Sequence, residues 1–317
     1  MSARLTRRLF SAGVMLAPLV GASACNRDGG QLRIAVSFHN MAEPFFVVMR
    51  RELMKAAEEL GVAVSVQDGQ ANSAKQTADL ETSIVQGVDG VILAPTDVRA
   101  LAPAVNRVLD AGIPIITVDR RIEGASVPVP HVGADNVAGG RRMVEWIVSS
   151  HPQGARVVLL TGQPGSSSAI DRTRGAKEAL AAAGPAYTLV AEQSANWSRD
   201  QALTVTQNVL TGLSSPPDVI LAENDDMAFG ALEALKTAGT SRVAVLGFDA
   251  TPEALKRIRA GEMAISVEQS PSRQINAALS QIVAAARTGA AMSSVSIDPV
   301  VITRDTLDKA ERISEAG

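Results

Sequence analysis

The residues in this sequence best suited to chemistry recur just after short apolar runs. The run 34–38 leads to Glu43-Pro44-Phe45-Phe46, and 115–118 ends at Asp119-Arg120. The run 156–160 leads through a Gly/Ser loop to Arg172 and Arg174, and 188–191 leads to Asn196-Trp197. Residues 219–222 end at Asn224-Asp225, 243–247 at Phe248-Asp249, and 264–267 at Glu268-Gln269. A carboxylate accepts two hydroxyl protons, a guanidinium donates a fork to vicinal oxygens, and an amide does both. Flat rings can stack on an apolar C–H face. The set suits a small polyhydroxylated molecule. Taken singly, each has a plainer role: Asp97 and Asp225 as helix caps, Arg172 as a surface charge, Asp119-Arg120 as an internal ion pair. Their recurrence at successive run ends is what argues for a shared rim.

The elements that would position these residues can be read from the same runs. Strands are expected at 33–38, 63–67, 90–94, 115–118, 156–160, 188–191, 219–222, 243–247 and 264–267, with a last one at 295–302. Apolar runs without alternation describe strands covered on both faces, as in parallel α/β sheets, and such sheets bind ligands beyond their carboxyl ends. Pro44 opens a helix over 45–60 that Gly61 closes, Asp97 can cap one that stops before Gly112-Ile113-Pro114, and Thr251-Pro252 begins one finished at Gly261. The stripe Leu101, Val105, Val108 and Leu109 reads as core. Pro128 and Pro130 break the rhythm within 124–132, and new βα units start after Asp135. The expected fold class is therefore α/β, with two doubly wound lobes: residues 32–134 plus 270–298, and 135–269 plus 299–317. A chain crossing between lobes several times makes a hinge.

At the N-terminus, Arg4, Arg7 and Arg8 precede an uncharged run over 9–24, closed by small residues and followed by Cys25, the only cysteine. This is the pattern of an export signal (residues 1–25) too short to span a bilayer. Thr6-Arg7-Arg8-Leu9-Phe10 is similar to a twin-arginine signal, and the general and twin-arginine routes both stay open. Cys25 falls where a bacterial lipoprotein carries its lipid, against the alternative of Ala-x-Ala cleavage at Ala22 and Ala24. Lipidation is the expectation, because a lone cysteine in an oxidising compartment has no disulfide partner. Export also removes the protein from ATP and nicotinamide pools, which argues against most enzymes.

Composition points the same way. Charges are balanced at a net −3, so no basic field for nucleic acid is present. His39, His131 and His151 lack metal-ligand spacing. Gly162-Gln163-Pro164-Gly165 lacks both the dinucleotide fingerprint and a P-loop lysine, and no nucleophile–base arrangement is evident. No cofactor, metal or covalent chemistry is expected. With aromatic residues at only 3 %, the pair Phe45-Phe46 and the lone Trp197 become informative.

From about residue 32 to residue 303 the chain resembles the periplasmic sugar-binding proteins of the ribose/galactose type, the type I solute receptors of ABC importers. The residues carrying the resemblance are Glu43-Pro44-Phe45-Phe46, Pro95-Thr96-Asp97, the run 113–120 ending in Asp119-Arg120, Asp135-Asn136, Arg172-Thr173-Arg174-Gly175, the run 223–228, Gly247-Phe248-Asp249 and Glu268-Gln269. The resemblance implies two Rossmann-like lobes with parallel sheets, joined by a hinge of three crossings around a cleft that closes on one sugar. By position, Phe45 resembles the first-lobe ring that packs on the sugar, with Phe46 beside it, and Asp119 and Arg120 resemble the pair that grips its hydroxyls. Arg174, Trp197, Asn224 and Asp249 occupy second-lobe contact positions, and Gln269 lies at a hinge crossing. Trp197 stands where ribose receptors carry a smaller ring. Glu43 stands where they carry asparagine, which leaves three readings open: it accepts extra hydroxyl protons, pairs with an arginine, or faces a cationic amino sugar. The implied role is a periplasmic, monomeric receptor delivering a monosaccharide or polyol to an importer permease. A chemotaxis or sensor-kinase receptor of the same fold is the alternative.

Overall fold

Residues 30–240 and 242–317 are described by the structure, a computed structural model. The export signal and Cys25 lie outside the described residues. In chain order the first strands and helices are β1 (Arg33–Phe38), α1 (Pro44–Leu60), β2 (Ala63–Asp68), α2 (Ser73–Gln86), β3 (Gly90–Leu93), α3 (Ala102–Asp110), β4 (Ile115–Val118) and β5 (His131–Ala134). They are followed by α4 (Asn136–Ser150), β6 (Ala155–Thr161), α5 (Ser167–Ala183), β7 (Tyr187–Ser194), α6 (Arg199–Gly212), β8 (Val219–Ala222) and α7 (Asp225–Thr237). The last are β9 (Ala244–Phe248), α8 (Pro252–Ala260), β10 (Ile265–Glu268), α9 (Pro271–Thr288), β11 (Val295–Ile297) and β12 (Val300–Ile302). Two short 3-10 helices, Arg304–Lys309 and Ile313–Ala316, close the chain.

The strands form two six-stranded sheets, ordered β2-β1-β3-β4-β5-β11 and β7-β6-β8-β9-β10-β12. Every pairing is parallel except β12 against β10. Strands β3, β4 and β8 are buried along their whole length, because helices cover both faces of each sheet. That double cover is why they read as apolar runs. The chain passes from one sheet to the other three times: between β5 and α4, between β10 and α9, and between β11 and β12. Helix α9 returns to the first sheet, where Ile275, Leu279 and Ile282 pack with Phe38, Phe46 and Leu53.

Several local expectations change. The single strand expected over 295–302 is two, split at Asp298-Pro299. Proline has no N–H for a ladder, and the two short pieces pair with different sheets. Strand β5 was not expected, because the two prolines before it mask a short run paired with β4. Asp97 caps the turn before α3, accepting from the N–H groups of Arg99 and Ala100 at 2.8 Å each. Helix α7 is capped by Asn224, whose side chain accepts from Met227 N–H at 2.9 Å. Asp225 is instead fully buried, accepting from Thr251 N–H and Oγ1–H and from Ser266 Oγ–H at 2.7, 2.9 and 2.6 Å.

Candidate functional site

The carboxyl ends of strands from both sheets meet around a small cavity. It is lined by Glu43, Phe45 and Phe46 after β1, Asp119 and Arg120 after β4, Ser168 and Arg172 on α5, Trp197 after β7, Asn224 after β8, Asp249 after β9 and Gln269 after β10. Asp119, Trp197 and Asp249 have φ of 63°, 65° and 111°, left-handed values that cost a non-glycine residue energy. Ser270, at the second crossing, has φ 53°. Strain thus gathers where strands hand side chains to the cavity.

From the first sheet, Pro44 sets the start of α1 and seats the two rings. Phe46 is fully buried, 5.6 Å from Phe38 and 5.3 Å from Phe45 between ring centroids, the latter pair edge to face at 79°. The Arg120 guanidinium lies 5.6 Å from the Phe46 ring and 5.7 Å from the Trp197 ring. Its Nε is 3.4 Å from Asp119 Oδ2, an ionic contact without hydrogen-bond geometry, and its Nη2 is 3.6 Å from Glu43 Oε2. Glu43 Oε1 is 3.1 Å from His39 Nε2, and His39 Nδ1 is 3.0 Å from Thr96 Oγ1. Burial, then the charge of Arg120, lowers the His39 pKa, so the ring is neutral near pH 7. A carboxylate only accepts, so Nε2 carries the proton and Nδ1 accepts from Thr96. Of the readings of Glu43, the geometry carries the arginine pairing, supplemented by a histidine that the sequence left unassigned.

From the second sheet comes the largest correction. Arg174, expected at the ligand, has a side chain 54 % exposed and paired with Asp171 at 2.9 Å. Arg172, read as a surface charge, is the guanidinium in the cavity. Two residues on a helix point about 200° apart, so 172 and 174 cannot face the same place. Positions 168 and 172 can, being four apart, and both line the cavity. Arg172 donates through Nε to Asn136 Oδ1 at 2.8 Å, through Nη1 to the Glu223 carbonyl at 2.6 Å, and through Nη2 to Gln269 Oε1 at 3.2 Å. It stacks 3.6 Å above the Phe248 ring. Gln269 Nε2 donates to Asp249 Oδ1 at 2.5 Å, and Ser168 Oγ donates to the Asp119 carbonyl at 3.3 Å. A Cβ at Gly162 would run into the Trp197 indole, so glycine there leaves the ring its seat.

Three carboxylates face two guanidiniums in this cavity. Burial raises the pKa of Asp119 and raises Asp249 well above the usual carboxylate range, against the pull of Arg120 on one and Arg172 on the other. Behind them, burial pushes Glu223 and Asp225 up to about 7. Arg120 Nε and Nη1 and Trp197 Nε1 are buried without hydrogen-bond partners. An unpartnered buried donor costs about 1–3 kcal/mol, which a ligand oxygen would remove. The site can thus grip hydroxyls from two sides and cover an apolar ring face. It presents no activated nucleophile, and among the described residues no group of three or more His, Cys, Asp or Glu could hold a metal ion.

Two parallel α/β halves, linked by three crossings around a polar cavity, define a two-lobed solute-binding protein of the type I periplasmic class. Residues 34–291 match the family model described as a periplasmic binding protein domain, and the chain belongs to that family. It is 38 % identical over 262 residues to the ribose import binding protein RbsB of Escherichia coli (strain K12), covering 82 % of this chain and 85 % of that one. The crystal structure of Caulobacter myo-inositol binding protein bound to myo-inositol superposes with a TM-score of 0.89 at 55 % identity, covering 90 % of this chain and 98 % of that one. An ABC transporter solute binding protein from Bacillus halodurans C-125, with bound myo-inositol, superposes with a TM-score of 0.83 at 28 % identity, covering 91 % and 98 %. These relatives are binding proteins, and the chain is a binding protein rather than an enzyme.

Proposed function

We propose that this protein is an extracytoplasmic receptor for an uncharged ring polyol, a cyclitol of the myo-inositol kind ahead of a pentose, which it delivers to the permease of an ABC importer. One observation carries the reading. The cavity joins polar side chains from both sheets to three rings and leaves buried donors on Arg120 and Trp197 unpartnered. Small-molecule pockets are usually mostly apolar, whereas this one is mostly hydrogen-bonding, as a ligand with a hydroxyl on each ring carbon requires. The pairing of Glu43 with Arg120 and His39 holds that carboxylate within the protein's own network, which suits an uncharged ligand better than a cationic amino sugar. Similarity to a protein that binds myo-inositol favours a cyclitol, and similarity to RbsB keeps ribose in the test.

In this reading Glu43, Phe45, Phe46, Asp119, Arg120, Arg172, Trp197, Asn224, Asp249 and Gln269 contact the ligand, and the halves 32–134 with 270–298 and 135–269 with 299–317 are lobes that close on it. Ligand contacts available only when the cleft is shut shift the population to the closed form, which the permease recognises. The receptor works as a monomer in the periplasm, sent there by residues 1–25 and held by lipid on Cys25. Mass spectrometry of the mature N-terminus would read a diacylglyceryl adduct on Cys25, and an unmodified N-terminal thiol would remove the anchor.

The ligand is tested by a thermal-shift panel of myo-inositol, D-ribose, D-allose and D-galactose. A ligand at about 100 times its dissociation constant adds about 2.7 kcal/mol. myo-Inositol is expected to give the largest shift. Silence across the panel would overturn the polyol reading, and a larger shift with ribose would overturn the cyclitol preference.

A further inference from the structure

Beside the cavity, charges of alternating sign run from one half of the molecule to the other. On the side of the first sheet, Arg99 Nη2 lies 3.2 Å from Glu123 Oε2, and Glu123 Oε1 lies 3.1 Å from Arg121 Nη2. Arg121 Nη1 then pairs with Asp171 Oδ2 on α5, and Nη2 lies 3.5 Å from Oδ1, so the guanidinium presents both arms to one carboxylate. Asp171 Oδ1 also accepts from Arg174 Nη2 at 2.9 Å. Within this series Arg121–Asp171 is the link that joins the two halves. Neutral hydrogen bonds run along the same seam: Arg121 N–H to Ser167 Oγ at 2.9 Å, Ser168 Oγ–H to the Asp119 carbonyl at 3.3 Å, and Val98 N–H to the Gly165 carbonyl at 2.8 Å.

The partners on either side give the link its character. Hinge opening would part Arg121 from Asp171 but leave Arg121 with Glu123 and Asp171 with Arg174, each pair on its own half. Neither ion would be stranded, so the link can break and re-form without the penalty of an unpaired charge. The Asp171 side chain is only 12 % exposed and that of Arg121 33 %, so salt and water screen the pair less than a fully exposed one. The contact exists only when the halves meet, so it stabilises the closed form alone.

We propose that Arg121 and Asp171 form an ionic clasp that sets ligand affinity from outside the cavity, making the binding of an uncharged polyol depend on salt. The inference rests on the cleft-closure reading above. A ligand that binds the closed form gains apparent affinity in proportion to the population of that form.

The test compares wild type with Arg121→Gln, Asp171→Asn and the double variant, at about 0.02 M and 0.5 M NaCl, by calorimetry and stopped-flow binding of myo-inositol and D-ribose. Each single variant is expected to weaken binding about three- to tenfold at low salt, by the same factor for both ligands and through faster dissociation. The double variant should lose no more than a single one, and high salt should weaken wild type by a smaller factor than either substitution does while leaving the variants almost unchanged. Small-angle scattering of the ligand-free protein provides an arm that needs no ligand: Arg121→Gln should show a larger radius of gyration than wild type at low salt. If neither ligand binds but the radius still grows, the assignment of a cyclitol or ribose as ligand fails and the clasp stands. If ligand binds with one affinity in all four proteins at both salt concentrations, and the radii coincide, the clasp is overturned.

Discussion

Asp119→Asn is the substitution that most cleanly separates ligand binding from folding. Asn keeps the volume of Asp and tolerates a left-handed backbone, so the φ of 63° at this position is not the variable. What changes is one acceptor oxygen, which becomes an NH2 donor facing the cavity and the Arg120 Nε that lies 3.4 Å from Asp119 Oδ2. A hydrogen bond to a charged group contributes about 1.5–3 kcal/mol, so affinity should fall about ten- to 150-fold. Stability should move the other way. Burial holds the Asp119 pKa above its unfolded value. Such a carboxyl is best tolerated below its unfolded pKa, and stability is lost as pH rises through the folded pKa. The Asn variant escapes that loss, so at pH 7 the ligand-free variant should unfold at the same temperature as wild type or higher. Calorimetric titration with myo-inositol and thermal unfolding without ligand read the two effects on one sample. Wild-type affinity in the variant would refute the assignment of Asp119 to hydroxyl binding. A lower unfolding temperature with intact affinity would make it a structural ion-pair residue.

Other expectations follow from the same geometry. Arg172→Met should cost about 3–5 kcal/mol of stability, read by urea unfolding, because it leaves Asp249 buried without its cation and strips donors from Asn136 and Gln269. Arg174→Gln should unfold like wild type, and equal losses in the two variants would contradict the helix facing. Gly162→Ala should displace the Trp197 ring and weaken ligand binding at least tenfold, with intrinsic tryptophan fluorescence reporting the move; an unchanged spectrum would contradict it. Phe46→Ala, at a fully buried ring, should lower stability by about 3–5 kcal/mol in denaturant titration, and a loss under 1 kcal/mol would contradict its place in the core. Glu223 has a folded pKa of about 7, above its ordinary value of 4.5. Its contribution therefore declines as pH rises from 4.5 through 7, and Glu223→Gln should flatten the stability–pH curve in that window.

Most of the fold was legible because parallel strands covered on both faces leave an unmistakable mark: the apolar runs at 90–93, 115–118 and 219–222 are buried along their whole length. The short strand His131–Ala134 and the division of 295–302 were not, since each depends on pairing with a distant strand and on which sheet offers an edge. Among the residues lining the cavity, Asp119, Asn224, Asp249 and Gln269 could be read because each follows a strand end directly. Arg172 and Arg174 both follow the same strand at a distance, on a helix, and strand-end reasoning cannot tell them apart. Helical phase could: Ser168 and Arg172 fall on one face, and Arg174 falls on the other. His39 was passed over as an isolated histidine, since its partners Thr96 and Glu43 meet it only in three dimensions.

Crystallising the protein with myo-inositol tests the central claim most directly. The account predicts one ring in the cavity between the sheets, with hydroxyls within hydrogen-bond distance of Asp119, Arg120, Arg172 and Asp249 and a ring face against Phe45 or Trp197. A ligand bound elsewhere, or touching one half alone while the two halves stand closed, would contradict it.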